Sequence, residues 1–186
     1  MKLFYGLILL CLMSISVSET NEEIIKNNNK LIDKAISKNF EEIKEQIEAI
    51  DLPNEACFKN NVFNLPDLSP DKIKLYYDVK KELHLSFTNL VPFLSSKIYF
   101  NYANQNLKIN NIKATLNEFN LETVVKYQNL NNIEFENPTF NYKMNLTGTI
   151  NNIPVYSKKF LNKLIRHEAI PKLLDNMKKI IKKLIK

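Results

Sequence analysis

Few residues of this chain belong to the types that carry out chemistry. It contains two histidines and two cysteines. His84 stands between Leu83 and Leu85 on the polar register of a predicted strand, and His167 stands beside Glu168. A metal ion needs three or four protein ligands, and a nucleophile needs a base within hydrogen-bond reach. The two separated histidines are therefore a poor basis for either kind of site.

The sequence signatures of common enzymes are also missing. The chain has no G-x-S-x-G elbow, no glycine-rich phosphate loop, no H-E-x-x-H and no C-x-x-C. We therefore predict no catalytic residue, no metal site and no cofactor, and we expect that the protein is not an enzyme.

The first residues have the pattern of a secretory signal. Met1-Lys2 is followed by the apolar run Leu3–Met13 and by small residues up to Ser18. A run of about eleven residues is too short to span a bilayer, which needs about twenty. We predict a signal peptide over 1–18, a single domain over 19–186, and a secreted, extracellular protein without a membrane span.

Export leaves one thiol, because Cys11 lies in the leader and only Cys57 follows it. An internal disulfide is then impossible. Of the remaining interpretations, a small buried apolar residue is favoured over a nucleophile or a cross-link between two chains.

The exported chain also has a glycosylation sequon, Asn145-Leu146-Thr147, whereas Asn137-Pro138-Thr139 is blocked by its proline. Asn145 is the predicted glycan site.

Hydrophobic periodicity predicts a helix at each end of the domain. Apolar residues recur at helical spacing from Asn21 to Ile50, and Pro53 is expected to end this helix. A second amphipathic helix is predicted from about Ser157 to Lys186. Pro171 interrupts it, so we expect a kink near His167 or a break into two helices.

Between the helices the period changes to two, which is typical of strands. Alternation is clear over 73–79 and 83–87 and continues in further strands over 98–102, 107–116, 119–127, 133–135, 140–146 and 150–155, with a change of parity at 110–111 that suits a bulge or a twist. The connections are too short for crossover helices, so the sheet is predicted to be antiparallel. Glycine is scarce, and asparagine is expected to supply residues of positive φ. The fold class is α+β.

This order of elements resembles the tubular lipid-binding (TULIP) superfamily, which includes the insect takeout and juvenile-hormone-binding proteins, the bactericidal/permeability-increasing proteins and the house dust mite group 7 allergens. The segments Glu22–Ile25, Leu31–Ile36 and Asp51–Pro53 are similar to the opening helix of the mite allergens, which look nearest. Asn162–Ile165 and Ile170–Leu174 are similar to the closing helix of takeout-type proteins. The chain lacks the cysteine pair of the takeout and hormone-binding proteins.

The resemblance implies a long curved sheet wrapped around the C-terminal helix, with an apolar groove between them that takes a lipid. An incompletely filled core of this kind would be lined by aliphatic and aromatic groups. Periodicity alone does not separate such a lining from an ordinary packed core. The candidate ligand-binding residues are Leu83, Leu85, Phe87, Phe100, Tyr102, Leu164, Ile165, Leu173, Leu174 and Met177.

The charge of the chain suggests a second function. The formal net charge is +6, and much of the excess lies near the C-terminus. With an export signal and no nucleic-acid-binding pattern, an anionic membrane surface is a more natural partner than nucleic acid. The candidate membrane-surface residues are Lys178, Lys179, Lys182 and Lys183.

Two functions therefore stay open. A secreted carrier of a lipid or other hydrophobic small molecule needs the apolar face of the C-terminal helix docked on the sheet. A membrane-surface or protein-interaction protein that acts through its lysines needs an exposed terminal helix.

Overall fold

The computed structural model describes residues 20–54, 58–102, 105–129, 132–147 and 155–185. The predicted signal peptide and Cys57 lie outside these ranges, as do the side chains of Phe100 and Tyr102. The secretion, thiol and ligand-lining predictions for these positions stay predictions.

The N-terminal helical region consists of two helices instead of one. Helix α1 spans Asn21–Lys38 and begins where the hydroxyl of Thr20 accepts a hydrogen bond from the backbone N–H of Glu23 at 3.4 Å. At Asn39 the side-chain amide donates to the carbonyl of Ala35 at 2.8 Å, and the chain turns into helix α2, Phe40–Ile47.

The prediction that the helix continues to Ile50 is wrong in its last turn. Strand β1, Ala49–Leu52, already begins there and pairs with β2, with Ile50 opposite Phe63. Ile47, Ile50 and Leu52 are all buried. The spacing of the first two suits a helix, and that of the last two suits a strand, so the pattern alone did not locate the boundary.

The described residues form a sheet of seven strands, and every pairing among them is antiparallel. Its order is β1-β2-β5-β6-β4-β3, with β7 also paired to β6. The α+β class with an antiparallel sheet is thus confirmed. After β1 the strands are β2 Phe58–Asn64, β3 Ile73–Tyr77, β4 Leu83–Leu90, β5 Phe93–Tyr102, β6 Gln105–Asn129 and β7 Asn132–Thr147.

Strand β6 is the longest strand in the described part of the chain, with 25 residues. Its first half pairs with β5 and its second half with β4, so these two strands share one edge of it. Strand β7 pairs along the other edge from Lys113 to Asn129. The sequence predicted separate strands over 107–116 and 119–127, and again over 133–135 and 140–146. Both predictions are wrong, because each pair is one continuous, bent strand.

Bulges bend these strands and curve the sheet. Asn60, Asn89, Glu118 and Asn137 have φ between 51° and 55°. The first three lie at shifts of register in β2, β4 and β6. Asparagine occupies three of the four positions, as predicted, because its short polar side chain tolerates a left-handed backbone. The bulge expected at 110–111 is confirmed by the pairing of Ser96 and Ile98 with Ile112 and Ile109.

The C-terminal helix is continuous, but it widens in the middle. It comprises α3, Val155–Leu164, a π-helical turn over Ile165–Ala169, and α4, Ile170–Ile185. The N–H of Ile170 reaches the carbonyl of Ile165, five residues back. Pro171 has no N–H and would clash with a carbonyl four residues earlier, so a wider turn just before it is a favourable solution. The predicted perturbation near His167 is confirmed, and the helix is not broken in two.

One hydrophobic core joins the concave face of the sheet to both helical regions. Lys172 and Asn176 of α4 donate to the backbone carbonyls of Asp51 and Gln46, and Lys183 lies 2.6 Å from Glu42. These bonds hold α4 on α2 and β1.

Among the described residues, no helix is long and apolar enough to cross a membrane. Five core residues of α4 are between 0% and 7% exposed: Leu173, Leu174, Met177, Ile180 and Ile181.

Replacing Ile181 with alanine tests whether α4 belongs to the core. Ile181 is fully buried, so the truncation should lower the free energy of unfolding by about 2–4 kcal/mol in a denaturant titration. Lys178→Ala on the polar face of the same helix is the control and should change it by less than about 0.5 kcal/mol. Equal, small effects of the two changes would mean that the helix is not docked in solution.

Candidate functional site

An open groove runs between strand β7 and the C-terminal helix. Its volume is about 670 Å³. Such a volume falls within the usual range of small-molecule sites, about 300–1,000 Å³. Within the described ranges β7 pairs with β6 alone, so the groove lies at an edge of the sheet that these residues form. We call it the β7 groove, and its lining residues are Phe140, Asn141, Tyr142, Lys143, Met144, Lys158, Asn162 and Arg166.

The inward-facing side chains of β7 are only partly covered. Phe140, Tyr142, Met144 and Leu146 occupy alternate positions of the strand and pack against the core without being fully buried. On the neighbouring strand β6, the inward-facing residues that pair with them, such as Leu116 and Leu121, are at most 1% exposed. An apolar strip of four partly covered residues therefore lies along β7, and three of them, Phe140, Tyr142 and Met144, line the groove.

Tyr142 joins the strand to the helix. Its hydroxyl donates a hydrogen bond of 2.8 Å to the side-chain oxygen of Asn162. Its ring lies nearly parallel to the ring of Phe140, with centroids 6.4 Å apart, and 6.3 Å from the ring of Phe119. The aromatic floor of the β7 groove is thus fixed by a hydrogen bond and by ring packing.

The charges along the groove are positive. The guanidinium of Arg166 lies 5.1 Å from the centre of the Phe140 ring, a cation–π contact. Burial raises the pKa of Tyr142, and the nearby Arg166 opposes that shift. Lys143 and Lys158 also line the groove, and no carboxylate is among its lining residues. Lys143 is partly neutralised by an exposed ion pair of 2.8 Å with Glu118.

The ligand-binding residues predicted from the sequence lie mainly in the core. Eight of them have described side chains, and these are between 0% and 7% exposed: Leu83, Leu85, Phe87, Leu164, Ile165, Leu173, Leu174 and Met177. Phe87 also lines a second cleft, of about 330 Å³, that crosses β4, β6 and β7. Their predicted role in binding a ligand stays a prediction, and none of them lines the β7 groove.

The candidate membrane-surface lysines lie on the outer side of α4. Lys183 pairs with Glu42, and Lys179 donates to the side-chain oxygen of Asn176 at 3.4 Å. Lys178 and Lys182 are partly exposed. The apolar face of the same helix is buried against the protein, so this helix does not present an apolar surface to a bilayer.

The sequon residue Asn145 is exposed on β7, on the outer side of the strand. Exposure is what glycosylation requires, and occupancy by a glycan stays a prediction.

The sequence analysis did not select the groove residues Tyr142, Met144, Asn162 and Arg166. The alternation of Phe140, Tyr142 and Met144 was visible, and it predicted a strand with one apolar face. This alternation did not indicate that the strand lies at the edge of the sheet, where its apolar face is only half covered. The one usable signal was position, because β7 is the last predicted long strand before the C-terminal helix.

Comparison with known proteins gives weak similarity to solved structures alone. No protein-family model matches the chain, and no curated protein matches it. A solved structure with a similar fold is the crystal structure of lipopolysaccharide binding protein, with 8% identity and a TM-score of 0.47. The match covers 83% of this chain and 39% of that one, so the chain spans about two fifths of the neighbour's length. The functional proposal below therefore rests on the groove itself, and the resemblance to the mite allergens stays a prediction.

The Tyr142–Asn162 bond can be tested with a double-mutant cycle. Tyr142→Phe removes a partly buried hydrogen bond, so we expect the free energy of unfolding to fall by about 1 kcal/mol. Asn162→Ala should lower the free energy of unfolding by a similar amount. If the bond forms in solution, the double variant costs less than the sum of the two, by about 0.5–1 kcal/mol, whereas strict additivity would show that the strand and helix are not joined there.

Proposed function

We propose that this chain is an exported, non-enzymatic binding protein for a lipid or other hydrophobic small molecule that carries an anionic group. The observation that carries the proposal is the apolar strip of β7, whose inward-facing side chains are half covered while those of β6 are buried. Export is supported by the signal-like pattern of residues 1–18.

An acyl chain would lie against one apolar wall of the groove, formed by Phe140, Tyr142 and Met144. Burial contributes about 25 cal/mol for each Å² of apolar surface that is removed from water. Immobilising the ligand and ordering side chains consume a large part of this gain. What remains of this gain, together with the contacts of a charged head group, sets the dissociation constant for a single-chain ligand.

The charges favour an anionic head group. Arg166, Lys143 and Lys158 are basic, and no acidic side chain lines the groove. A carboxylate or phosphate placed beside Arg166 would accept charge-assisted hydrogen bonds from a planar guanidinium that already lies over Phe140. A neutral ligand of equal length would gain the apolar contacts alone.

The alternative function, action at a membrane surface through the C-terminal lysines, has less support. It needs the apolar face of α4 to be available to lipid, and Leu173, Met177 and Ile181 are buried against the protein. The docked helix is instead the arrangement that a carrier needs.

Binding of oleate to the full chain tests the proposal by calorimetry. Met144→Asp places a carboxylate within the apolar wall and should weaken oleate at least about tenfold, since it adds a repulsive, solvated group. Val79→Asp is the matched control, because Val79 is 84% exposed in the β3–β4 turn and lies outside the groove. It should leave the affinity unchanged.

Arg166→Gln separates the head group from the chain. It should weaken oleate about five- to tenfold and leave the neutral analogue monoolein within about twofold, because only the charged contact is lost. Thermal melts of each variant show whether the fold is intact. Absence of oleate binding to the wild type, or equal affinities of wild type and Met144→Asp, would contradict the proposal.

A further inference from the structure

A second cluster of polar side chains lies on the outer face of the sheet, away from the β7 groove. Asp78, Glu82 and His84 belong to the β3–β4 hairpin, and Glu122 approaches from β6. Asp78, Glu82 and His84 each offer one ligand atom, and these three atoms all lie within 4.8 Å of one another. This juxtaposition brings together an imidazole and carboxylates, which are common ligands of divalent metal ions.

The hairpin turn fixes Asp78. One carboxylate oxygen accepts hydrogen bonds from the backbone N–H groups of Glu82 at 2.8 Å and Lys80 at 2.9 Å. Those bonds hold the pKa of Asp78 below its usual value, with a smaller contribution from His84. The turn itself is closed through Lys81, which has φ of 63°. The second oxygen of Asp78 is left facing the Nε2 atom of His84 at 3.5 Å.

The imidazole of His84 lacks hydrogen-bond partners. Its side chain is 16% exposed, yet both ring nitrogens are shielded from solvent, and neither forms a hydrogen bond within the described part of the chain. The ring is held against Tyr76, with centroids 5.3 Å apart and planes inclined by 17°. Each ring nitrogen instead faces a carboxylate just beyond hydrogen-bond distance, Nε2 facing Asp78 at 3.5 Å and Nδ1 facing Glu122 at 3.6 Å. The fixed ring is therefore surrounded by negatively charged groups.

We infer that Asp78, Glu82 and His84 form a binding site for a divalent transition-metal cation of the zinc type. Bond lengths of about 2.0–2.1 Å in tetrahedral geometry place two ligand atoms about 3.4 Å apart. The separation of 3.5 Å between His84 Nε2 and Asp78 Oδ2 matches this value. Three protein ligands leave a fourth position for water. The inference replaces the sequence-based expectation that the chain holds no metal.

Glu122 occupies the position of an outer-shell partner. Its Oε1 atom lies 3.6 Å from His84 Nδ1 and accepts a hydrogen bond of 3.0 Å from the hydroxyl of Tyr76. When Nε2 binds a metal ion, the other ring nitrogen carries a proton and is usually directed at a carboxylate or carbonyl. A small movement of Glu122 would make that hydrogen bond.

Glu82 must turn to complete the site. Its carboxylate is paired with Lys126 at 3.2 Å, and both side chains are more than two fifths exposed. A solvent-exposed ion pair of this kind contributes little to stability, so a cation can readily replace Lys126 as the partner of Glu82. A bound cation would therefore displace Lys126 from Glu82, so Lys126 acts as a competitor of the metal ion.

Calorimetric titration of the untagged full chain with zinc chloride tests the site. We expect one zinc ion per chain, and loss of measurable binding in His84→Asn. His167→Asn is the matched control, because His167 is the other histidine of the chain and lies on the C-terminal helix. It should leave the zinc affinity unchanged. Absence of zinc binding, or equal affinities for wild type and His84→Asn, would overturn the inference.

Two variants at exposed positions keep the test informative if the histidine variant unfolds. Glu122→Gln should weaken zinc about 10- to 100-fold, as expected for an outer-shell carboxylate. Lys126→Gln should tighten zinc several-fold, since it removes the competing ammonium. Cobalt(II) in place of zinc should give the strong visible absorption of a tetrahedral ion. An unchanged zinc affinity in both variants would assign any observed binding to another part of the chain and overturn the inference.

Discussion

The structure depends on the pairing of one strand, β6, with three others. β6 is 25 residues long, and it carries β5 and β4 in succession on one edge and β7 on the other. A strand of this length cannot stay straight in a small sheet. The left-handed residues Glu118 of β6 and Asn89 of β4 lie at neighbouring shifts of register, and Asn137 of β7 lies at a further shift opposite Glu122 and Val124. The resulting concave face is what the C-terminal helix covers.

The same arrangement creates the groove. The edge at β3 is closed by α1, where the side chain of Asn29 bonds both the N–H and the carbonyl of Tyr77. At β7 the side-chain hydrogen bond from Tyr142 to Asn162 joins the strand to the C-terminal helix. The widened turn before Pro171 lets the C-terminal helix remain continuous while α3 and α4 both pack against the sheet. The apolar face of α4 is buried, whereas the apolar strip of β7 beside α3 is only half covered. The proposed binding site thus arises from unequal coverage of a curved sheet.

Hydrophobic periodicity predicted the two helical regions, the antiparallel sheet and nearly the whole core, because the spacing of apolar residues shows which face of a strand or helix is buried. It did not predict that 107–127 is one strand, since Asn117 and Glu118 look the same in a bulge as in a turn. It also placed Val79 in a strand, whereas Val79 is exposed in a turn. The groove was missed because coverage of Phe140 and Tyr142 depends on a helix distant in sequence. The His84 cluster was missed because it needs the turn at Lys81 and a neighbouring strand.

The most direct test of the central claim, that a hydrophobic ligand lies in the β7 groove, is photo-cross-linking with a fatty acid that carries a diazirine in its chain, followed by peptide mass spectrometry. The account predicts adducts on the β7 segment around Phe140–Met144 and on the facing helix around Asn162, with competition by unlabelled oleate. Adducts confined to other segments, such as β4 or α4, would place the ligand in the interior of the core instead and contradict the account.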